Sequence, residues 1–428
     1  LPSGPDDFLA VEKFGGVRLV RDGEVVESNI ASFDVTAQNE AGLISLALYP
    51  DFESTGQFLV AYTPEEPLDK FYISRLELDG DRARILDDPL IEFASRASTD
   101  RHYGGNIRFG PNGYLYVGAG ELNVREWAQD PSNTAGSILR FNADGTVPAD
   151  NPFGEDNPVW AHGMRNPFDL DFSADGRLFA SENGEDVNDE INEVRGGKNY
   201  GWPVIQGYCD HFPWHEPCEN ADDFEEPVHE FRTIVGATGL HVYKGDAIDS
   251  LKNQVLVADW NSGYVHRFDI GESGETLTPA GVLYSSNGEF ALTDVDQGAD
   301  GSVLVLAAGR EVGKIIRITD APDDIDPNTS DDEQADAPDM QSDSDSGDAS
   351  GSGCSTATAT NHLPLHMILM ILLLAAAGRN AIASEERVGS THSRRPAHSS
   401  AYCPGETAAS TPLARPRPLR CRPATRCR

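Results

Sequence analysis

A histidine and a glutamate bracket one short strand–turn–strand segment of this 428-residue chain. Residues 100–121 read DRHYGGNIRFGPNGYLYVGAGE, with His102 two positions before a glycine pair and Glu121 closing the second strand. An antiparallel hairpin would fold the acid back beside the imidazole, and a free imidazole has a pKa of about 6.5, suited to proton transfer near neutral pH. The segment predicts a histidine–carboxylate pair on one face of the protein. The alternative is a hairpin histidine that bonds only to backbone.

Two cysteines and two histidines form a second group in the stretch GYCDHFPWHEPCEN. Cys209 and Cys218 are close enough in sequence for a local disulfide if the protein is exported. His211 and His215 between them leave a metal site as the alternative, although the spacing matches no common zinc pattern.

The elements that must position these residues follow a repeated pattern. A turn rich in Gly, Asp or Asn, a short apolar strand, a small-residue corner and another strand recur six times, roughly one copy per 50 residues, which is the size of a propeller blade. The copies begin near residues 3, 56, 109, 172, 252 and 298. Tight hairpin turns are predicted at Asn112-Gly113, Asp175-Gly176 and Asp300-Gly301, because these residue types tolerate positive φ. The prediction is an all-β chain, with a six-bladed β-propeller of four-stranded blades over residues 1–320.

The charge of the chain narrows the possible partners. It carries 33 Lys and Arg against 70 Asp and Glu, a formal charge of −37. Such a surface repels phosphate backbones, so nucleic-acid binding by the main domain is not expected. The acidity suits a salty or extracellular setting, and solubility alone is a sufficient alternative explanation.

The two ends of the chain suggest export. The chain begins at Leu1 without a basic-then-apolar leader, so a signal peptide is expected to be absent or removed and the first blade to start upstream.

Residues 321–353 are acidic and serine-rich, which predicts a disordered linker. Residues 354–379 place Cys354 before a short apolar run and resemble the C-terminal sorting signals of some bacterial surface proteins; a plain tail anchor is the alternative. Residues 380–428 form a basic, low-complexity tail that is expected to be unstructured, with nucleic-acid binding as the less favoured alternative.

Several long motifs in order and spacing resemble the glucose/sorbosone dehydrogenase family, the soluble quinoproteins that oxidise aldoses with pyrroloquinoline quinone. The motifs are RHYGGNIRFGPNGYLYVGAGE, GSILRFNADGTVPADNPF, HGMRNPFDLDF and ENGEDVNDEINEVRGGKNYGWPVIQGY. The resemblance covers about residues 1–318 and implies a six-bladed propeller that carries pyrroloquinoline quinone beside a calcium ion.

The resemblance also implies roles for the hairpin pair. His102 corresponds to the base that removes the proton of the sugar's anomeric hydroxyl while hydride passes to the quinone. Glu121 corresponds to an acid, often aspartate in relatives, that would orient the imidazole and stabilise its charged form.

The cofactor contacts are implied in the same way. Arg165 and Asn166 match the residues that contact the quinone, and Gly184 and Glu185 match the pair whose backbone carbonyls bind calcium, with Glu185 in place of the usual proline. The EDVNDE stretch that includes Glu185 lacks the full EF-hand pattern and is expected to shape its turn, with Asp189, Glu190 and Asn192 bonded to local backbone amides.

Four positions depart from the family pattern. A glutamine of relatives is Phe168 here, a cofactor-binding lysine aligns with Asn261, and two arginines that clamp quinone carboxylates align with Ala291 and Thr293. Losing cationic partners weakens the binding of a tricarboxylate. Candidate replacements are Lys244, Arg232 and Arg310.

The sequence thus predicts an exported, surface-tethered sugar dehydrogenase that depends on pyrroloquinoline quinone and calcium and passes electrons to an external acceptor. The first alternative is a catalytically inactive propeller that binds carbohydrate or protein, as in the hedgehog-interacting branch of the family. The second is a metal-dependent lactonase, which would need several acids around one ion.

Overall fold

The computed structural model describes residues 1–95, 99, 101–209, 223–273, 275–308 and 313–320. Within these residues, 23 strands form six antiparallel sheets, five of four strands and one of three. The predicted linker, anchor segment and basic tail lie outside the described residues.

The sheets follow one another along the chain, so each is one blade of a propeller. Blade 1 contains β1 (Phe8–Val11), β2 (Gly16–Arg21), β3 (Glu24–Val25) and β4 (Ala31–Ser32), and blade 2 contains β5 (Leu43–Leu48), β6 (Gln57–Tyr62), β7 (Lys70–Asp79) and β8 (Arg82–Ala94). Blade 3 contains β9 (Gly104–Phe109), β10 (Leu115–Ala119), β11 (Ser137–Phe141) and β12 (Val159–His162), and blade 4 contains β13 (Pro167–Phe172), β14 (Leu178–Glu182), β15 (Asp189–Val194) and β16 (His229–Phe231). Blade 5 contains β17 (Ala237–Val242), β18 (Gln254–Asp259), β19 (Tyr264–Asp269) and β20 (Thr278–Ser285), and blade 6 contains β21 (Ala291–Gln297), β22 (Val303–Ala308) and β23 (Gly313–Ile318). The six-bladed all-β prediction is confirmed.

Helices are short in the described part of the chain. They are α1 (Phe52–Thr55) and the 3-10 segments Arg125–Gln129 and Asp249–Leu251. None of the helices among the described residues has the length and apolar character needed to span a bilayer.

Polar side chains join the first strands of neighbouring blades. Asn106 and Arg108 of β9 donate to alternate carbonyls of β13, those of Phe168 and Leu170, at 2.8 and 3.2 Å. In the same way, Asp169 of β13 accepts the amide hydrogen of Leu240 at 2.7 Å, and Asp171 accepts that of Val242 at 2.9 Å. In both cases, moving two residues forward along one strand also moves two residues forward along its neighbour. The first strands of these blades are therefore parallel to each other.

This common direction gives the propeller two distinct faces. We call the face at which β5, β9, β13, β17 and β21 begin the upper face. Apolar side chains fill the space between the blades, where Phe58, Phe71 and Phe179 are fully buried. This packing holds the first strands rigidly, so residues next to their starts have defined positions on the upper face.

The predicted hairpin turns are present, with one difference in their conformation. Gly113, Gly176 and Gly301 have φ values of 80°, 88° and 81°. The preceding Asn or Asp does not adopt positive φ; Asn112 and Asp300 instead accept backbone amide hydrogens two residues ahead. The side chain therefore braces the turn while glycine alone takes the left-handed conformation.

Candidate active site on the upper face

His102 and Glu121 meet on the upper face because β9 and β10 are antiparallel. His102 lies two residues before β9 and Glu121 two residues after β10, and Gly104 is paired with Ala119. The imidazole Nδ1 lies 2.5 Å from Glu121 Oε1, and the two side chains are 9% and 2% exposed. The carboxylate can therefore fix the tautomer of the ring and stabilise a positive charge on it, with Nε2 left for a substrate proton.

The backbone of His102 adopts an uncommon conformation that its neighbours support. Its φ is 60°, a left-handed value that is rare for a side-chain-bearing residue. The His102 carbonyl accepts the amide hydrogen of Leu122 at 3.2 Å, and a Cβ on Gly120 would lie 2.1 Å from that carbonyl oxygen. Only glycine fits at position 120, so the glycine of the hairpin sequence allows the backbone after β10 to lie close to the His102 carbonyl.

Glu40 is a site residue that the sequence analysis missed. Its Oε2 accepts the backbone amide hydrogen of His102 at 2.6 Å and also lies 3.5 Å from Asn166 Nδ2. Burial raises the pKa of the Glu40 carboxyl, and the nearby His102 and Arg165 partly oppose that shift. The signal that could have found it is position, because Glu40 precedes the first strand of blade 2 as His102 precedes that of blade 3.

Arg165 and Asn166 precede β13 and reach the same face. The Arg165 carbonyl accepts the amide hydrogen of Glu121 at 2.8 Å, and Arg165 Nη1 donates to the Asn183 carbonyl at 3.0 Å. Burial lowers the pKa of the Arg165 guanidinium, whereas the surrounding carboxylates, Glu121 foremost, act in the opposite direction.

Asn166 is buried, and its amide is engaged within the protein. Its Oδ1 accepts the amide hydrogen of Gly104 at 3.1 Å, and its Nδ2 lies 3.1 Å from Asn183 Oδ1. These contacts tie the start of β9 to the loop after β14. In this structure Asn166 connects the two blades that carry the candidate base and the candidate quinone contact.

Gly184 and Glu185 lie in the loop between β14 and β15. Among the described residues, no hydrogen bond uses the carbonyl oxygen of Gly184 or Glu185. A Cβ on Gly184 would lie 2.1 Å from the Val187 carbonyl oxygen and 2.6 Å from that of Asn188, so backbone oxygens crowd around this glycine. The Val187 and Asn188 oxygens both accept hydrogen bonds from Gln206 Nε2, whereas the carbonyl oxygens of Gly184 and Glu185 are of the type that calcium accepts.

Asp189 holds this loop in place, as predicted. It accepts the amide hydrogen of Gly184 at 2.8 Å through one oxygen and those of Val235, Gly236 and Ala237 through the other. Burial raises the pKa of Asp189, and the four backbone hydrogen bonds counteract the shift.

The prediction for Asn192 was wrong, because it bonds to side chains rather than to backbone amides. Its buried Nδ2 lies 2.9 Å from Glu182 Oε2 and 3.3 Å from Glu190 Oε2, and Glu190 also accepts the amide hydrogen of Gly207. Burial raises the pKa of Glu182 well above its usual value and that of Glu190 to about 7. Because Glu182 Oε1 accepts the amide hydrogen of Arg165 at 2.5 Å, this pair of buried acids supports the arginine loop.

The four departures differ in their surroundings, and one has a cation close by: Lys314 Nζ lies 4.2 Å from the ring centroid of Phe290, the residue before Ala291. Phe168 and Thr293 are buried, with the Thr293 hydroxyl bonded to the Leu306 carbonyl at 3.2 Å. Asn261 follows β18 and donates to the Ile234 carbonyl at 3.0 Å, and Ala291 begins β21. Asn261 and Ala291 are therefore on the same face as His102.

One of the suggested replacement cations is engaged elsewhere. Lys244 follows the far end of β17 and pairs with Asp171 at 2.7 Å, which places it on the opposite face. Arg232 follows the last strand of blade 4 and is exposed, 3.8 Å from Glu230. Arg310 lies outside the described residues.

The cysteine and metal predictions are tested only in part. Cys209 is disulfide-bonded, whereas Cys218, His211 and His215 lie outside the described residues. Within the described ranges, no three His, Cys, Asp or Glu side chains come together as metal ligands, which is the arrangement that the lactonase alternative requires.

Comparison with known proteins gives a consistent assignment. The sequence model described as Glucose / Sorbosone dehydrogenase matches residues 1–317. Aldose sugar dehydrogenase YliI of Escherichia coli (strain K12) is 26% identical over 297 residues, which covers 67% of this chain and 79% of that protein. Quinoprotein glucose dehydrogenase B of Acinetobacter calcoaceticus is 29% identical over 201 residues, 41% of this chain and 42% of that protein. A solved structure described as glucose dehydrogenase superposes with a TM-score of 0.67 at 26% identity, over 74% of this chain and 94% of that one.

Proposed function

Because the chain belongs to the glucose/sorbosone dehydrogenase family, we propose that it is a sugar dehydrogenase that oxidises the anomeric hydroxyl of an aldose with pyrroloquinoline quinone. The observation that carries this proposal is the buried pair of His102 and Glu121, 2.5 Å apart on the upper face beside Arg165. A histidine base oriented by a carboxylate suits abstraction of a hydroxyl proton near neutral pH.

The chain's own residues would act as follows. His102 accepts the hydroxyl proton at Nε2, and Glu121 stabilises the imidazolium through Nδ1. Glu121 Oε2 is buried with no hydrogen-bond partner among the described residues, so the bond from Oε1 to the His102 ring is the one polar contact of this carboxyl group that they provide. Glu40 holds the His102 amide so that the ring keeps its orientation during the transfer.

The quinone, when bound, supplies the hydride acceptor. Arg165 would hold it by a charge-assisted bond, with Asn166 bracing the neighbouring strand start. Gly184 and Glu185 would bind calcium through their backbone carbonyl oxygens. Electrons would then pass to an external acceptor.

We extend the proposal to location. The disulfide at Cys209 suits an oxidising compartment, so we place the protein outside the cytoplasm, in the periplasm or at the cell surface. A sorting or anchor segment over residues 354–379, joined to the propeller of residues 1–320 by the linker over 321–353 and followed by the basic tail over 380–428, would tether the enzyme to the envelope.

Calorimetric titration of the full chain with pyrroloquinoline quinone and calcium tests the proposal, with turnover of aldoses measured in parallel. Micromolar or tighter binding is expected. His102→Ala should lower turnover by orders of magnitude and keep binding, and Arg165→Ala should weaken binding. Absence of binding at tens of micromolar would reject the quinone enzyme.

One observation favours a second function. The positions Asn261, Ala291 and Thr293 carry no charge, which suits a propeller that has lost its quinone and binds carbohydrate or protein from the cell surface. Failure to bind quinone, together with binding to a glycan or protein array on the upper face, would establish this alternative.

A further inference from the structure

Arg125 forms an ion pair next to the candidate calcium loop. It begins the 3-10 segment Arg125–Gln129, four residues after Glu121, and its guanidinium contacts the carboxylate of Glu185. Both side chains are partly exposed, at 50% and 37%. The pair therefore links the loop after the candidate base pair to the loop whose carbonyls suit a cation.

The same guanidinium lies beside Trp202, which Arg165 also approaches. The two guanidinium carbons are 5.3 and 5.5 Å from the centroid of the Trp202 ring. The indole is buried, and Gln129 donates to the Trp202 carbonyl at 2.6 Å, which fixes the 3-10 segment to this residue. Arg125 and Arg165 are thus neighbours on the upper face around one aromatic ring.

We propose that Arg125 is a second recognition residue for the anionic cofactor, and that it leaves Glu185 to pair with a carboxylate of that ligand. This inference rests on the proposed function, because it names how the same site would hold a quinone that carries several carboxylates.

The energetics favour such an exchange. An ion pair between partly exposed partners adds little stability, because water solvates both groups well. A guanidinium–carboxylate bond to a bound ligand in a less hydrated site is stronger, and its fork geometry suits a planar acid. Glu185 therefore competes only weakly with a ligand carboxylate for Arg125.

Carboxyl groups of the protein already surround Arg165. Glu121, Glu40 and Glu182 all act to raise the pKa of the Arg165 guanidinium, against the lowering effect of burial. Asn261 and Ala291 on the same face are uncharged. A ligand with several carboxylates would therefore gain from a further cation on this face, and Arg125 lies beside the same indole as Arg165.

Calorimetric titration of pyrroloquinoline quinone into the full-length protein at fixed calcium tests the inference. Arg125→Ala should weaken binding about 10-fold or more, whereas Glu185→Gln should tighten it several-fold, since it keeps the backbone carbonyl and removes the competing charge. The double variant should bind like Arg125→Ala alone. Arg84→Ala is the matched control, because Arg84 forms a comparable exposed pair with Glu77 on blade 2, and it should bind like wild type.

The outcomes separate this inference from the proposed function. Wild-type binding with no effect of Arg125→Ala overturns the role of Arg125 and leaves the dehydrogenase proposal intact. Weaker binding by Glu185→Gln would show that the Glu185 carboxylate helps to hold the ligand and would overturn the exchange. If wild type itself does not bind, the proposed function fails first. Thermal unfolding of each variant checks that a loss of binding does not reflect a loss of fold.

Discussion

Glu40 Oε2 accepts the backbone amide hydrogen of His102 at 2.6 Å, although 62 residues separate the two in sequence. The bond joins the loop before blade 2 to the loop before blade 3, and it supports a histidine whose φ is 60°. The candidate base is therefore positioned from its backbone by one carboxylate and from its ring by another.

Replacement of Glu40 removes the support of the His102 backbone and leaves the contact between the His102 ring and Glu121 in place. Glu40→Ala leaves the His102 amide without its acceptor, which should cost about 1–3 kcal/mol of unfolding free energy and lower kcat at least 10-fold. Glu40→Gln keeps an acceptor oxygen and should cost less in both. Denaturant unfolding and steady-state kinetics measure the two effects, and equal results for the two variants would argue against a positioning role.

Removal of the base should affect turnover far more than stability. His102→Ala is expected to lower kcat by about 10²–10⁴-fold, the usual contribution of general acid–base catalysis, while quinone affinity stays within a few-fold of wild type. Glu121→Gln should lower kcat less, because the amide still contacts Nδ1 without the charge. The control is His266→Ala, which breaks a histidine–aspartate pair of 2.7 Å in blade 5 and should leave kcat unchanged.

The buried Glu190 predicts a pH dependence of stability. Burial raises its pKa to about 7 in the folded protein, above the unfolded value of about 4.3. The contribution of Glu190 to the unfolding free energy is therefore most favourable below about pH 4.3, where the carboxyl is protonated in both states. As the pH rises towards 7 this contribution is lost, because the carboxyl ionises more easily in the unfolded chain than in the folded protein. Glu190→Gln should therefore gain unfolding free energy relative to wild type over that range, by about 2–4 kcal/mol in total. Urea unfolding at several pH values measures this difference, and parallel curves would contradict it.

The calcium loop predicts a strict requirement for glycine at position 184. A methyl group there would clash with the Val187 carbonyl oxygen, at 2.1 Å. If this loop binds calcium as proposed, the ion should raise the melting temperature of the wild type, and Gly184→Ala should weaken calcium binding about 10-fold or more and remove that rise. Gly4→Ala, whose Cβ would meet nothing closer than 3.8 Å, is the control. An unchanged calcium response in Gly184→Ala would place the ion elsewhere.

Much of the fold could be predicted from the sequence because its determinants are local. Turn residues such as Asn112-Gly113 and the roughly 50-residue repeat depend on near neighbours, and the structure has the same turns and six blades. The hairpin that carries His102 and Glu121 could be predicted for the same reason. Glu40, Arg125 and Trp202 were missed, because no local pattern connects them to that hairpin.

The sequence by itself determined the blades, their turns and the hairpin that folds Glu121 back beside His102, because strand pairing between adjacent segments depends on short-range patterns. Tertiary structure alone decided which loops share the upper face, that Lys244 pairs with Asp171 on the opposite face, and that Asn192 joins two glutamates. The physical reason is that these relationships depend on how blades align around the axis and on how far each carboxylate is removed from water. Both quantities are set by the packing of residues that lie far apart in the chain.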